Sequence, residues 1–308
     1  MPEGDTLHRI AQNLAPTLEG QTVLALELPR SEQRTEHLVG RRITRVEARG
    51  KNLLIFFDEG SVLHTHLRMN GIWHLYRAGE PWRRSPSTTV VALAVAGYLA
   101  VCFRAPVVRL LRARDLAGDP TLGHIGPDLL GQEFDADEAL RRLRALDDEP
   151  LGVAVMDQQA IAGIGNVYKS ELLFLTRLDP FAPVRAFSDE ELTHLIDLSR
   201  RVMQANVAPR KEGEGEGEGA AGGAGGPGQH YLYTRTTRDL EGVGETRRRR
   251  RTLLEALGQR GEPRSVYRRA DSPCLDCGTP IVMRRQGEAQ RSTYFCPRCQ
   301  PPRGAPPG

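Results

Sequence analysis

Two pairs of cysteines near the end of the chain constrain its fold more than any other feature of the sequence. Cys274 and Cys277 form one Cys-x-x-Cys pair, and Cys296 and Cys299 form a second pair after 18 intervening residues. Thiolates at this spacing can bind one zinc ion tetrahedrally from two tight turns joined by a β-hairpin, which predicts one structural zinc per chain. Two disulfides and an iron–sulfur cluster are the alternatives, and five cysteines in 308 residues disfavour a disulfide scaffold.

The charge of the chain is distributed unevenly. The formal net charge is +3, but residues 1–211 have a net charge of −1, residues 212–228 of −4 and residues 229–308 of +8. A basic C-terminal part favours a polyanionic partner such as a nucleic acid, although a solvated basic surface explains the charge equally well by itself. The Gly/Glu-rich stretch 212–228 cannot bury apolar surface, so we expect a flexible loop there.

The spacing of apolar residues divides the chain into parts. After a short N-terminal helix that Asp5 or Thr6 can cap, residues 21–112 contain seven short β-rich runs typical of a sandwich or barrel. Helical spacing follows, with predicted helices from Asp135, over roughly 150–162 and 166–175, and from Ser188, which has Glu191 three residues on. We predict a multidomain α+β fold with a helix plus β-sandwich over 1–130, a helical domain over 131–265, a zinc-binding hairpin over 266–300 and a disordered tail over 301–308.

A glycine-rich turn between two of these helices is a candidate phosphate-binding site. Gly163 and Gly165 break one helix, and Asn166 begins the next. Two glycines within three residues permit a tight turn and the close approach of another backbone. An asparagine beside the unsatisfied N–H groups of a helix N-terminus can hold a phosphate, although an isolated asparagine is more often only an N-cap. The basic zinc module downstream favours the phosphate interpretation.

The N-terminus offers a candidate nucleophile. Removal of Met1 would expose the secondary amine of Pro2, and an α-amino group titrates near ~8, so a useful fraction is neutral at physiological pH. Attack of this amine on an aldehyde-level carbon gives an iminium, which acidifies the adjacent C–H bond and favours elimination. Glu3 is placed to act as a general acid or base. Taken alone, however, an N-terminal Pro-Glu is unremarkable.

Four separated motifs resemble those of the Fpg/Nei DNA glycosylases and follow the order found in that family. They are MPEGDT at the start, RGKNL at 49–53, GIGNVYKSE at 163–171 and RSTYFCPRCQ at 291–300. The resemblance covers nearly the whole chain except the Gly/Glu loop and its surroundings. It implies an N-terminal β-sandwich, a helix–two-turn–helix domain and a C-terminal β-hairpin zinc finger. The start of the chain resembles the Nei (endonuclease VIII) branch more than the Fpg branch.

The resemblance implies roles for individual residues. Pro2 corresponds to the Schiff-base nucleophile that attacks C1′ of the damaged nucleotide, and Glu3 corresponds to the proton donor. Lys51 corresponds to a lysine that contacts phosphate and assists catalysis. Asn166 corresponds to a phosphate ligand of the helix–two-turn–helix domain, and Arg291 to a phosphate-clamping arginine of the zinc finger, which we group with the catalytic residues.

The loop 67–71 lies where the family places the residues that fill the gap left by an extruded nucleotide. We nominate Arg68, Met69 and Asn70 for this role, and a hydrophobic methionine at a strand end is the alternative for Met69. Lys169, within the GIGNVYKSE motif, is added to the predicted DNA-binding residues. Thr6 departs from the family pattern because many members have a second glutamate there.

The resemblance implies a bifunctional base-excision-repair enzyme, an N-glycosyl hydrolase and DNA-(apurinic or apyrimidinic site) lyase. Residues 102–108 lack the Arg-Phe loop of Fpg, so we expect removal of oxidised pyrimidines and β,δ-elimination through a Pro2 Schiff base. The alternatives are an Fpg-like purine glycosylase, an enzyme that is mainly an abasic-site lyase, and a non-catalytic zinc protein that binds DNA or RNA. The arginines 247–251 either add nonspecific DNA affinity or balance the acidic loop. We expect damaged DNA as the partner, a monomer, no membrane span, and a bacterial cytoplasmic location with nucleoid association through DNA.

Overall fold

Alternating and continuous apolar runs form the strands of the N-terminal half of the chain. The computed structural model describes residues 2–208 and 264–303. Its strands in the first part are β1 (Ala25–Glu27), β2 (Ile43–Arg49), β3 (Asn52–Phe57), β4 (Ser61–His66), β5 (Ile72–Arg77), β6 (Thr89–Val95), β7 (Tyr98–Phe103) and β8 (Val107–Arg112). They form two antiparallel four-stranded sheets, ordered β2-β3-β4-β8 and β1-β6-β7-β5.

The two sheets pack face to face, which confirms the predicted β-sandwich. The sequence of β3 is continuously apolar because both faces of the strand are covered. Leu53 and Ile55 belong to the main core of the sandwich, whereas Leu54 and Phe56 pack under a 3₁₀ helix at Ala113–Gly118. Strand β8 was missed by the sequence analysis because its apolar residues are only half-buried at a sheet edge.

The N-terminal helix α1 (Gly4–Leu18) packs against β2 and the helical domain. Its apolar face, predicted from the spacing of Leu7, Ile10 and Leu14, is buried as expected. The N-cap position is occupied by Glu3, so the prediction that Asp5 or Thr6 caps this helix was wrong. The Glu3 side chain makes no capping bond to α1 because it is bonded elsewhere.

The helical domain contains α2 (Ala136–Arg144), α3 (Leu151–Ala154), α4 (Asn166–Leu175) and α5 (Asp189–Val207). The predicted start of α5 at Ser188 is confirmed. It is a capping box, since Ser188 Oγ accepts from the Glu191 N–H and Glu191 accepts from the Ser188 N–H. The helix predicted over 150–162 is confined to α3. Beyond Ala154 the chain forms turns, one of which is closed by the Asp157 side chain accepting from the Gln159 N–H.

A two-stranded hairpin, β9 (Val282–Gln286) and β10 (Arg291–Phe295), carries the C-terminal cysteines and packs on α4 through β10. The order of sandwich, helical domain and hairpin confirms the predicted architecture. The predicted loop 212–228, the arginines 247–251 and residues 304–308 of the predicted tail lie outside the described residues. Among the described helices, none combines the length and apolarity needed to cross a membrane.

Candidate active site and metal centre

The carboxylate of Glu3 is inserted into the N-terminus of α4. Glu3 Oε1 accepts a hydrogen bond of 2.8 Å from the Val167 N–H, and Oε2 accepts bonds of 3.1 and 3.2 Å from Gly165 and Tyr168. The side chain is only 2% exposed. At Gly165 an added Cβ would lie 2.4 Å from the Glu3 carboxyl carbon, so this position requires glycine. The N–H groups that we expected to be free for phosphate beside Asn166 are therefore largely used by Glu3, a correction to the sequence interpretation.

Burial changes the acidity of this carboxyl group. Burial raises the pKa of Glu3, while the positive charge of Lys51 and the Val167 N–H lower it in part. A carboxyl group whose pKa is raised holds its proton at higher pH than an exposed glutamate does. Burial therefore favours the protonated form of Glu3, the form that a proton donor needs.

Pro2 directly precedes Glu3 and is half-buried. The hydrogen bonds that fix Glu3 therefore also determine where the N-terminus lies. The backbone is fixed on the other side as well, because the Gly4 N–H donates to the Gly163 carbonyl oxygen at 3.0 Å. These contacts bring the start of α1 to the glycine-rich turn, as the close approach predicted there requires. Pro2 is thus held within the region where the sandwich meets the helical domain.

Lys51 reaches the same turn from the sandwich. It lies between β2 and β3, and its Nζ donates to the Ile164 carbonyl oxygen. Burial lowers the pKa of Lys51 to about 8, the charge of Glu3 acts in the opposite direction, and Arg291 lowers it further. The influence of both groups on one ammonium shows that the structure brings Glu3, Lys51 and Arg291 into one electrostatic environment.

The turn that carries Lys51 is fixed by Asp128, a residue that the sequence analysis missed. Gly50 has φ of 55°, and its N–H donates to Asp128 Oδ2 at 2.6 Å. The same oxygen is 3.1 Å from His8 Nε2 on α1. Asp128 therefore joins the N-terminal helix and the lysine turn, and no local sequence pattern marks it.

A buried polar network stabilises the turn that carries Lys51. Asn52 Nδ2 donates to the Arg49 carbonyl oxygen at 3.1 Å, and Asn52 Oδ1 is 2.9 Å from Nε2 of the fully buried His64. Burial lowers the pKa of His64 to about 4, with Arg109 adding to the effect, so this ring is neutral at pH 7. A neutral ring can donate from Nε2 to Asn52 and accept from Arg109 at Nδ1, as the network requires.

Asn166 and Arg291 meet at the junction of α4 and the hairpin. Asn166 Nδ2 donates to Ser292 Oγ at 3.1 Å, and Asn166 Oδ1 is buried with no hydrogen-bond partner among the described residues. Arg291 precedes Ser292 on β10 and is exposed. The structure thus brings Asn166 and the solvent-accessible Arg291 to the same junction, and their roles in phosphate binding stay predictions.

Lys169, by contrast, is fully buried. Its Nζ donates to Thr293 Oγ1 at 2.8 Å and to the Ser292 carbonyl oxygen at 3.2 Å, which joins α4 to β10. Burial lowers the pKa of Lys169 to about 7, and the charge of Arg291 adds to this effect. The contacts of Lys169 are with the hairpin, so its role in DNA binding stays a prediction.

Glu171 is a second buried carboxylate that the sequence analysis missed, although it lies in the GIGNVYKSE motif. It accepts hydrogen bonds of 2.7 to 3.0 Å from the N–H groups of Ser265, Val266 and Tyr267. These residues begin the second described part of the chain. Glu171 therefore anchors the segment that leads into the cysteine module to helix α4.

The loop between β4 and β5 projects an apolar side chain into solvent. Met69 is 63% exposed and is flanked by the exposed Arg68 and Asn70. The loop is closed by a 2.9 Å bond from the Gly71 N–H to the Leu67 carbonyl oxygen, and Arg68 has φ of 44°. Met69 therefore lies in an exposed turn beyond the end of β4, and its role in filling the gap stays a prediction.

The four C-terminal cysteines converge as the spacing predicted. Their sulfurs all lie within 4.8 Å of one another, with Sγ–Sγ distances of 3.4 Å for Cys277 and Cys296 and 3.9 Å for Cys274 and Cys299. Four Zn–S bonds of about 2.3 Å place tetrahedral ligands about 3.8 Å apart, so the cluster fits one zinc ion. Asp276, between two of the cysteines, pairs with Arg177 just after α4. Cys102 lies apart, buried in the sandwich core.

Comparison with known protein families accounts for three parts of the chain. Residues 1–106 match the formamidopyrimidine-DNA glycosylase N-terminal domain, residues 125–215 match the formamidopyrimidine-DNA glycosylase H2TH domain, and residues 271–302 match the zinc finger found in FPG and IleRS. These matches fall on the sandwich, the helical domain and the cysteine hairpin.

Individual relatives align over almost their full lengths. The chain is 34% identical to the "Probable endonuclease 8 2" of Streptomyces coelicolor, over 97% of this chain and 94% of the relative. It is 32% identical to the "DNA-(apurinic or apyrimidinic site) lyase Nei2" of Mycolicibacterium smegmatis, over 97% of this chain and 99% of the relative. Among solved structures, the MutM (Fpg) protein of Thermus thermophilus superposes with a TM-score of 0.68 at 29% identity, covering 97% of this chain and 98% of the other.

Proposed function

The chain belongs to the formamidopyrimidine-DNA glycosylase family, and from this premise we propose that it is a base-excision-repair DNA glycosylase with AP lyase activity. One observation carries the proposal most directly. The carboxyl group of Glu3 is buried against the N-terminus of α4, next to Pro2 and within the electrostatic reach of Lys51. An amine, a proton donor and a cation are the groups that displacement of a base from a sugar requires.

In the proposed reaction, the neutral amine of Pro2, exposed by removal of Met1, attacks C1′ of the damaged nucleotide. The glycosidic C–N bond breaks, and its electron pair leaves with the base, which takes up a proton. Opening of the sugar at the C1′–O4′ bond gives the iminium, and Glu3 donates a proton to the departing O4′. Glu3 is suited to this step because burial raises its pKa.

The iminium acidifies the C2′–H bond, so loss of this proton expels the 3′ phosphate in β-elimination. A second elimination expels the 5′ phosphate, and hydrolysis of the imine releases Pro2 with the sugar remnant as an aldehyde. The strand then contains a one-nucleotide gap. Each step needs the flanking phosphates to be held in place, which is the role we propose for Lys51, Asn166 and Arg291.

The amide of Asn166 supports such a role. Its oxygen and nitrogen are nearly isosteric, so a reversed amide would accept from the Ser292 hydroxyl and leave its NH₂ group free to donate. In that orientation the buried group without a partner is an N–H donor, and a donor is the kind of group that a phosphate oxygen pairs with. The zinc ion, when bound, supplies no chemistry in this scheme, because four cysteines close its coordination sphere and it only fixes the hairpin that carries Arg291.

We propose oxidised pyrimidines as the bases removed, extruded from duplex DNA with Arg68, Met69 and Asn70 filling the gap. The exposure of Met69 supports this assignment, as does the short β7–β8 turn at residues 104–106, which leaves no long loop opposite the lesion. An enzyme that acts mainly as an abasic-site lyase is the second candidate, favoured by the name of the mycobacterial relative. An oxidised-purine glycosylase is a third.

The same proposal extends to organisation and location. We propose domain boundaries at 1–130, 131–265 and 266–300, a monomer, and a bacterial cytoplasmic enzyme that associates with the nucleoid by binding DNA. The family matches at 1–106, 125–215 and 271–302 support these divisions.

Borohydride trapping tests the proposed nucleophile. With abasic DNA, the wild-type protein is expected to form a covalent complex that borohydride reduction makes stable, and Pro2→Gly should reduce trapping strongly. Equal trapping by both proteins would remove Pro2 as the nucleophile. A panel of thymine glycol, 5-hydroxycytosine, 8-oxoguanine and abasic DNA then distinguishes the three substrate candidates by their relative rates of incision.

A further inference from the structure

Three connections lie side by side at one end of the sheet β2-β3-β4-β8. Asn52 pairs with His66, and His66 pairs with Val107, so these residues mark the same level on β3, β4 and β8. The Lys51 turn precedes Asn52, the Met69 loop follows His66, and the turn at 104–106 precedes Val107. Since neighbouring strands are about 4.8 Å apart, the Met69 loop lies between Lys51 on one side and the β7–β8 turn on the other.

A cleft of about 600 Å³ opens on the side of the Met69 loop that faces away from Lys51. Its charged lining consists of Arg30 and Arg104, and Asn70 of the loop forms part of its wall. In the part of the chain that the structure describes, neither guanidinium lies within ion-pair distance of a carboxylate, unlike Arg109 with Asp119 on the nearby strand β8. The cleft therefore presents two uncompensated positive charges.

Both arginines are anchored to residues 87 and 88, Arg104 through its backbone and Arg30 through its side chain. Arg104 has φ of 55°, and its N–H donates to the Thr88 carbonyl oxygen at 2.9 Å. Arg30 donates to the Ser87 carbonyl oxygen at 2.6 Å. The guanidinium of Arg30 is therefore already restrained, which lowers the conformational entropy it loses when it binds an anion.

The segment that carries Arg30 is itself docked onto the edge of the sandwich. The Gln33 side chain donates to the Leu110 carbonyl oxygen at 3.0 Å and accepts from the Leu110 N–H at 2.7 Å. It thus satisfies both backbone groups of one residue on the edge strand β8, as a neighbouring strand would. The fold therefore fixes the segment that places Arg30 beside the cleft.

We propose that Arg30 and Arg104 bind backbone phosphates of the undamaged strand and so form a second phosphate-binding site, apart from the one beside Lys51. This inference rests on the proposed function and adds two DNA-binding residues to it. If Lys51 and Arg291 hold the damaged strand and Met69 enters the base stack, the complementary strand must pass on the side of the loop opposite Lys51, where the cleft lies. Guanidinium groups suit this ligand because they bind phosphate oxygens with paired hydrogen bonds.

The test compares binding of the same oligonucleotide alone and annealed to its complement. The oligonucleotide contains one tetrahydrofuran, a stable abasic analogue, so no cleavage occurs. For the double variant Arg30→Gln/Arg104→Gln we expect duplex affinity to fall about tenfold and the slope of log K against log salt concentration to fall by about 2. Affinity for the single strand should stay unchanged, because the cleft has no ligand there.

Arg41→Gln/Arg42→Gln is the matched control. It removes the same charge from exposed arginines next to Ile43, which pairs with Phe57 at the opposite end of the same sheet. This control should leave both affinities and both salt slopes near those of the wild type. If the cleft variant retains wild-type duplex affinity and slope, or loses single-strand affinity to the same extent as duplex affinity, the inference is overturned.

Failure of the proposed function has a different signature. Incision of a single-stranded abasic oligonucleotide reports on Pro2 chemistry and does not involve the cleft. A wild-type protein that incises neither form of abasic DNA would contradict the enzyme assignment. Incision of both forms, with no duplex-specific effect of the cleft variant, would contradict only the assignment of Arg30 and Arg104.

Discussion

The backbone N–H of Val167 donates a 2.8 Å hydrogen bond to Oε1 of Glu3, which joins residues 164 positions apart in the chain. The N-terminus of the sandwich is therefore positioned by the first turn of a helix in another domain. The negative carboxylate would be stabilised by the helix dipole, whereas burial favours its protonated form. This balance allows one group to release and recover a proton.

Replacing Glu3 by glutamine should separate the two proposed activities. Glutamine fills the same space and keeps one oxygen acceptor for the α4 N–H groups, but it cannot donate an acidic proton. We expect the rate of base excision to fall by about 100-fold or more, in the range found for loss of a general acid. Single-turnover incision of a lesion-containing duplex measures this rate.

Trapping on preformed abasic DNA supplies the control for the Glu3→Gln variant. The abasic aldehyde already lacks its base and its C1′–O4′ bond, so no proton from Glu3 is needed and the Pro2 amine should still form a complex that borohydride traps. Loss of trapping together with excision would indicate that the substitution displaces the N-terminus. Retention of full excision would show that Glu3 is not the proton donor.

The depressed pKa of Lys51 predicts a pH-dependent affinity for DNA. Burial lowers this pKa to about 8, so the ammonium is mostly protonated at pH 7 and mostly neutral at pH 9. Phosphate binds the protonated form, so from pH 7 to pH 9 its contribution to affinity should weaken by about tenfold. Lys51→Arg stays charged over this range and should lose less affinity.

Fluorescence anisotropy with the tetrahydrofuran duplex measures both proteins across this pH range. Lys169 also titrates, with a pKa of about 7, but it is present in both proteins. The difference between the two pH profiles therefore isolates Lys51. Parallel profiles for the wild type and Lys51→Arg would mean that the charge of Lys51 does not contribute to phosphate binding.

Removal of the zinc ligand Cys277 should weaken DNA binding without direct loss of a DNA contact. The sulfur cluster and the Asp276–Arg177 pair hold the hairpin that presents Arg291. Elemental analysis is expected to find one zinc per wild-type chain and less than one in Cys277→Ser, with affinity for duplex DNA reduced at least tenfold. Cys102→Ser, a cysteine in the sandwich core, is the control for zinc content and should retain one zinc ion.

Loss of the Glu171 carboxylate should destabilise the junction between α4 and the C-terminal module. Glu171→Ala leaves the N–H groups of Ser265, Val266 and Tyr267 buried without their acceptor. We expect the free energy of unfolding to fall by about 3 kcal/mol. Urea denaturation measures this change, and Glu133→Ala, at an exposed position before α2, should leave the midpoint unchanged.

Local patterns in the sequence predicted those parts of the molecule that local physics determines. The cysteine spacing predicted the metal cluster, Ser188 with Glu191 predicted the start of α5, and the two glycines predicted a tight turn. Each signal depends on residues close together in the chain or on one repeated spacing. The motif at 163–171 also placed Asn166 correctly at the start of a helix.

The contacts that complete the site could not be predicted in the same way, because they join residues far apart in the chain. Asp128 accepts from Gly50, and Glu171 accepts from residues 265–267. The sequence around neither acid indicates which distant residue it bonds to. The position of Glu3 also changed the interpretation of α4, because the Glu3 carboxylate accepts from the N–H groups that we expected to bind phosphate. Long-range hydrogen bonding of buried carboxylates thus determines the geometry that sequence motifs only indicate.

Truncation of Met69 should affect excision far more than lyase activity. Its side chain is 63% exposed on a closed loop, and its proposed role is to fill the gap in the base stack after extrusion. Met69→Ala removes most of the apolar volume, so extrusion of a paired base should become less favourable and excision should slow by about tenfold. An abasic site has no base to extrude, so its cleavage should change less than threefold.

Leu24→Ala, which truncates another exposed apolar residue at 57% exposure, should alter neither rate. An equal decrease in both activities for Met69→Ala would show that the loop serves general DNA affinity and does not fill the gap.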